Sequence, residues 1–245
     1  SRQEDTLATA WPLVEPWSVA LGPDGSVFIS DYGNHRVLRV DTRGRIRTYA
    51  GRLDGTIQTG ERYTEGKAAG LSAPNPKDLA TDPQGNLYLY DVVGPGAVDV
   101  IWKVTPDGRR SMVASGDGIG ASSLTYGPDG LLWMGHDQGT TGVYRIEEDG
   151  TRTLIAGGHV AGGGFNDEDG QFARGVQYSS VRGIALDSRG ALYVGHVSAS
   201  NGANGISRIS PELPGGSPGE IVFPSEDGRE RYIFNTNGRH LRTED

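Results

Sequence analysis

The chain has 245 residues, no cysteine and a formal net charge of −8. Without cysteine there is no disulfide framework and no thiolate for a metal or a nucleophile. The acidic balance, with no basic patch, argues against a nucleic-acid partner. No run of eighteen apolar residues is present, so no membrane span is expected.

Glycine accounts for 39 residues, about one in six, against a usual share of roughly 7%. The glycines punctuate short β-rich runs and mark turns. Lysine occurs only at Lys67, Lys77 and Lys103 against twenty arginines, a bias that fits a GC-rich bacterial genome. The opening ten residues carry no apolar signal core.

Along the chain one ten-residue phrase recurs four times: GPDGSVFISD from Gly22, DPQGNLYLYD from Asp82, GPDGLLWMGH from Gly127 and DSRGALYVGH from Asp187. A turn ending in Gly followed by β-branched and aromatic residues reads as strand, tight turn, strand. An apolar stretch precedes each phrase (WSVAL, KDLAT, SSLTY, RGIAL) and an alternating strand follows it (RVLRV, VIWKV, GVYRI, GISRI). Three of the four continue through a Gly turn into a fourth strand: IRTYAG, SMVASG and TRTLIAG. Four antiparallel strands per unit make a propeller blade. Two Gly-rich inserts, from Ala50 to Asn75 and from Ala156 to Ser180, separate successive units.

The string Pro16 to Gly51, and DYGNHRVLRV within it above all, resembles an NHL repeat. The likeness extends over roughly Pro16 to Ser210 and implies an all-β propeller occupying residues 1–245 as one domain. The stretch from Gly219, with Tyr232-Ile-Phe-Asn-Thr-Asn-Gly238-Arg-His240-Leu-Arg-Thr243, is similar to the junction between an NHL propeller and the YD-repeat shell of Rhs and teneurin-like proteins. That resemblance implies a domain of a large secreted or cell-surface protein, bacterial and in some members toxin-carrying. Its partner is then another protein or the shell of its own parent, and it is expected to be monomeric in isolation.

Four repeats leave strands at both ends. Five blades are expected, with six as the alternative. Thr6 to Ala10 is expected to join the C-terminal strands and close the ring, because joined termini leave no bare sheet edge.

The phrase ends in Asp31, Asp91, His136 and His196, equivalent positions in successive blades. Carboxylate and imidazole suit zinc or a similar ion, which makes these four the candidate metal ligands. The competing reading is turn organisation, since such side chains often bond nearby backbone. No catalytic set and no organic cofactor is expected. The alternative function, a metal-dependent propeller lactonase or lyase, rests on the same column with His136 and His196 as ligands. The remaining histidines, His35, His159 and His240, fall in the signature phrase, an insert and the terminal phrase.

Gly215 to Gly219 formally matches G-x-S-x-G but lies in a Pro/Gly connector rather than between strand and helix. Asn166 to Gly170 is acidic, yet the calcium-loop spacing fails at Phe165 and Val176. Gly66-Lys67 lacks the hydroxyl residue of a phosphate loop, having Ala68 there. The strand aromatics Trp17, Tyr88, Trp102, Trp133, Tyr144 and Tyr193 are expected between blades. Tyr32, Tyr63, Phe165, Phe172 and Tyr178 lie in or near loops and inserts and are the candidate partner-binding residues.

Overall fold

A computed structural model describes residues 6–61, 63–73, 75–92, 99–116, 119–137, 140–158, 173, 176–198, 202–209, 220–224, 231–235 and 239–244. Phe165, Phe172, the acidic tract 166–170 and the G-x-S-x-G match lie outside these residues. The first sheet holds β1 (Thr6–Leu7), β2 (Pro16–Leu21), β3 (Val27–Asp31), β4 (Arg36–Val40) and β5 (Arg45–Gly51), in the order β1-β5-β4-β3-β2. The second holds β6 (Gly66–Lys67), β7 (Pro76–Thr81), β8 (Leu87–Asp91), β9 (Asp99–Val104) and β10 (Arg109–Gly116), ordered β6-β10-β9-β8-β7. The third is the meander β11 (Ala121–Tyr126), β12 (Leu132–His136), β13 (Gly142–Ile146) and β14 (Arg152–Gly157). A fourth joins β15 (Tyr178–Leu186), β16 (Leu192–Ser198) and β17 (Asn204–Ile209), and a fifth joins β18 (Glu220–Pro224), β19 (Arg231–Asn235) and β20 (His240–Glu244). The first four sheets, each begun by one recurring unit, are four propeller blades.

The recurring phrase has a physical cause. Gly25, Gly85, Gly130 and Gly190 all sit at φ between 80° and 83°, a left-handed conformation that side chains with a Cβ resist. Each glycine donates its N–H three residues back, as Gly25 does to the Gly22 carbonyl and Gly85 to that of Asp82. The same turn therefore reverses the first strand into the second in every blade.

Blades pack face to face through their apolar residues. Phe28, Val37 and Tyr49 of the first meet Leu79, Leu87, Leu89 and Trp102 of the second. Tyr88, Tyr90 and Ile101 meet Leu124, Leu132 and Met134 of the third. Val143 and Ala156 meet Val181, Leu192 and Val194 of the fourth. Burying each large side chain here contributes roughly 1.5–3 kcal/mol before the entropy of ordering is set against it.

Two expectations are corrected. Thr6 to Ala10 does not reach the C-terminal strands. Thr6 pairs with Ile46 and Leu7 with Arg45, on the free outer edge of β5, while Ala8–Ala10 form a 3-10 turn. Trp11 then anchors this segment by packing on Leu38 and Ile46. Trp17 is not packed between blades but 59% exposed, lying beside Tyr32 with Lys77 over its ring. Within the first insert, Gly66 and Lys67 pair with Arg110 and Arg109 and extend the second blade.

Candidate functional site

The innermost strands β2, β7, β11 and β15 are stitched by polar bonds as well as apolar contacts. Asp78 Oδ1 accepts the Ser18 hydroxyl hydrogen at 2.5 Å and its Oδ2 accepts the Leu124 backbone N–H at 2.5 Å. One carboxylate thereby ties three blades. Ile184 N–H donates to Ser123 Oγ at 3.2 Å, carrying the seam to the fourth. Thr81 Oγ–H donates to the Leu21 carbonyl, and Ser30 Oγ–H to that of Pro76. Burial pushes the Asp78 carboxyl above its ordinary value, against the pull of Ser18 and the Leu124 N–H.

At the hairpin end of these strands is a cavity of about 350 Å³. Leu21, Thr81, Tyr126 and Leu186, one residue from each blade, form its wall, with turn prolines such as Pro83 and Pro128 at its rim. Its lining is mostly apolar, with Asp82 and Asp187 among the turn residues.

Asp31, Asp91 and His136 end the second strands of their blades, His196 lies two residues before the end of β16, and all four residues are buried. Asp31 accepts the Val14 N–H and the Asn34 Nδ2–H, and pairs with the Arg36 guanidinium at 2.9 Å. Arg36 also donates to the Leu53 carbonyl and lies over the Trp11 ring. Asp91 Oδ1 accepts the Asn75 N–H at 2.9 Å. Complete burial pushes the Asp91 carboxyl up to about 7, although the Asn75 N–H and the Arg110 charge pull it down.

His136 Nδ1 lies 2.9 Å from the Thr140 carbonyl, with its ring edge-on to Tyr144. His196 Nε2 lies 2.8 Å from Ser207 Oγ, beneath the Tyr178 ring at 4.7 Å. Both imidazoles therefore have partners within their own blade. Among the described residues no three of His, Cys, Asp or Glu come together as a metal-binding group. Closed zinc sites use four ligands and catalytic ones three plus water, and this column does not assemble such a set.

Arg110 was not singled out by sequence. Its guanidinium donates to the carbonyls of Glu61, Thr64 and Ser72 at 2.6–2.8 Å and lies 4.4 Å over the Trp102 ring. It holds the first insert against the second blade, and burial lowers its pKa. Only its place in the Gly-turn strand, where a charge enters an apolar run, signalled it. Asp78 gave a similar signal inside KDLAT.

Of the candidate partner-binding aromatics, Tyr63 is exposed and Tyr32 half-buried against Trp17. Tyr178 is corrected, being buried in β15 against His196. It begins a strand rather than a loop, because the apolar inner strand extends further back than its recurring core.

Known proteins agree with this architecture. The NHL repeat family model matches residues 13–40. No curated protein matches the chain. Among solved structures, a catalytically inactive virginiamycin B lyase from Staphylococcus aureus with quinupristin is 16% identical. That match covers 95% of this chain and 70% of the lyase, with TM-score 0.50. The PQQ-bound aldose sugar dehydrogenase of Streptomyces coelicolor is also 16% identical, covering 98% and 84% at TM-score 0.50. Hydrazine synthase of Kuenenia stuttgartiensis is 14% identical at TM-score 0.50, and the chain spans 59% of its length. At these identities the likeness is one of fold. Fold and comparisons together define a β-propeller, with an NHL repeat matched at residues 13–40 of its first blade.

Proposed function

We propose that this propeller works as a binding scaffold without turnover of its own. The observation that carries the reading is the engagement of Asp31, Asp91, His136 and His196 within their own blades. Residues occupied in this way organise blade ends and leave the loop faces as the working surface. Tyr63 and Tyr32 on the first insert and the first blade are the contacts proposed for a partner. We assign the chain to a larger secreted or surface protein of the Rhs and teneurin-like kind, whose YD-repeat shell is the partner. What supports this is the likeness of the phrase Tyr232 to Thr243 to the YD-repeat junction, a phrase whose flanking strands β19 and β20 pair. Mixing the chain with a separately expressed YD-repeat shell tests it. Micromolar or tighter binding, lost in Tyr63→Ala with the melt unchanged, is expected. No binding to the shell overturns the assignment.

A second reading is a metal-dependent propeller enzyme of lactonase or lyase type, with His136 and His196 as ligands. The three solved structures compared above are a lyase, a sugar dehydrogenase and a hydrazine synthase, and they favour this reading over a shell-bound scaffold. A bound metal would act as a Lewis acid or lower the pKa of a water. The two readings separate on metal content.

A further inference from the structure

The inner strands have two ends, and the cavity lies at the end away from the column. Pro16 opens β2 and pairs with Asp31, whereas Leu21 closes it and pairs with Val27. Five steps of about 3.3 Å separate the two ends by roughly 17 Å. The cavity, at about 350 Å³, falls in the size range of small-ligand sites, about 300–1,000 Å³.

Its wall is short of hydrogen-bond donors. The first three hairpin turns carry Pro23, Pro83 and Pro128 at the same position, and proline has no N–H to offer. The residue that opens each turn spends its N–H inside the hairpin. Gly22 donates to the Ser26 carbonyl, Asp82 to that of Asn86, Gly127 to that of Leu131 and Asp187 to that of Ala191. The Thr81 hydroxyl donates to the Leu21 carbonyl and the Tyr126 hydroxyl to that of Gly130.

The wall is also negative. Asp82 and Asp187 belong to it, and among the described residues no Lys, Arg or His does. Asp82 is buried, its carboxylate taken up by the N–H groups of Gln84 and Asn86 and by the Asn86 side-chain amide. Asp187 is half-buried, and its Oδ1 accepts the N–H groups of both Arg189 and Ala191. That leaves Oδ2 without a hydrogen-bond partner among the described residues. Tyr126 stacks on Tyr88 with ring centroids 5.5 Å apart, and Lys103 Nζ lies 5.7 Å from the Tyr88 ring, so one ring of this pair already carries a cation. Burial first, and then the charges of Asp82 and Asp129, hold the Tyr126 hydroxyl above its ordinary pKa.

We propose that this cavity binds a small organic ammonium ion, its carbon body against Leu21, Leu186 and the turn prolines and its charge met by the Tyr126 ring and Asp187 Oδ2. Such an ion brings the positive charge that the wall lacks, and aromatic faces attract it. A carboxylate or phosphate ligand would find no cation there to pair with. The site stands whether the propeller is a scaffold or an enzyme, because the column lies at the other end of the strands.

Isothermal titration of the full chain with 2-phenylethylammonium, 2-phenylethanol and 3-phenylpropionate tests this, since the three share a ring and differ in charge. The ammonium is expected to bind with a Kd of about 1 mM or tighter, the alcohol about tenfold or more weakly, and the carboxylate not measurably. Asp187→Asn keeps an Oδ1 acceptor for its turn and is expected to weaken ammonium binding about tenfold with the melt unchanged. Tyr126→Leu is expected to weaken it as well. Asp54→Asn makes the same change of charge at the column end, where Arg36 holds the adjacent Leu53 carbonyl, and is expected to leave binding as it was. Equal affinity for ammonium and alcohol overturns the inference, since the cavity is then merely apolar. An equal loss in Asp54→Asn and Asp187→Asn overturns it too, because the net charge of the chain is then the attraction. So does a failure of the ammonium to bind, or a preference for the carboxylate.

Discussion

Asp31 and Asp91 occupy the same register position in successive blades, yet only Asp31 has an arginine beside it. Asp31 pairs across its sheet with Arg36, and Asp91 with Val100. The two carboxylates are equally buried, so the difference lies in compensation. One is neutralised by contact at 2.9 Å, and the other holds a backbone N–H and a more distant guanidinium.

Asp91 therefore gives the fold a pH dependence of definite sign. Its folded value is raised to about 7 from 3.8, so between those limits the folded chain holds a proton that the unfolded chain has lost. Stability then falls as pH rises from about 4 to 7 and levels beyond, by on the order of a few kcal/mol. Burial of Asp78 acts in the same direction. Denaturant melts across this range are expected to show the fall, and Asp91→Asn to flatten it. A variant with the parent's slope would move the effect elsewhere.

Breaking the Asp31–Arg36 pair leaves a buried guanidinium without its counter-charge. Asp31→Ala is expected to cost about 3–5 kcal/mol, or roughly 10 °C in melting temperature at this chain length. A calorimetric shift under 2 °C would contradict the buried pair.

Arg110 predicts a local rather than global effect. Arg110→Ala removes three donors that hold Glu61, Thr64 and Ser72. Limited proteolysis is expected to cut the first insert several-fold faster, with slower loss of the blades. Unchanged cleavage would mean that the strand pairing of Gly66 and Lys67 suffices to hold the insert.

Asp78→Ala tests the axial seam. It leaves the Leu124 N–H without an acceptor and frees the Ser18 hydroxyl, at a cost of about 1–3 kcal/mol. Hydrogen exchange at Leu124 is expected to accelerate beyond that of blade-centre amides such as Met134. Equal exchange in parent and variant would dissolve the seam.

The repeat was legible because a turn with a left-handed Gly, repeated four times, fixes strand order locally. Register could also be read, since each phrase begins at the same turn. What sequence concealed was pairing at the ends. Thr6 and Leu7 are too short to carry a pattern, and their place beside Ile46 follows from a free edge on β5 and the anchor Trp11. The column was found correctly as a column, but spacing along a chain carries no information on where side chains point. His136 and His196 turn toward Thr140 and Ser207 of their own blades, a choice set by the following strand. Tyr178 was misplaced for a related reason, its strand beginning before the recurring apolar core.

The most direct test of the scaffold reading is the metal content of the purified chain, with thermal melts before and after chelation. The account predicts no stoichiometric metal and an unchanged melting temperature. One equivalent of zinc or a similar ion per chain, with a melt lowered by chelation and restored on adding it back, would contradict it and make His136 and His196 ligands.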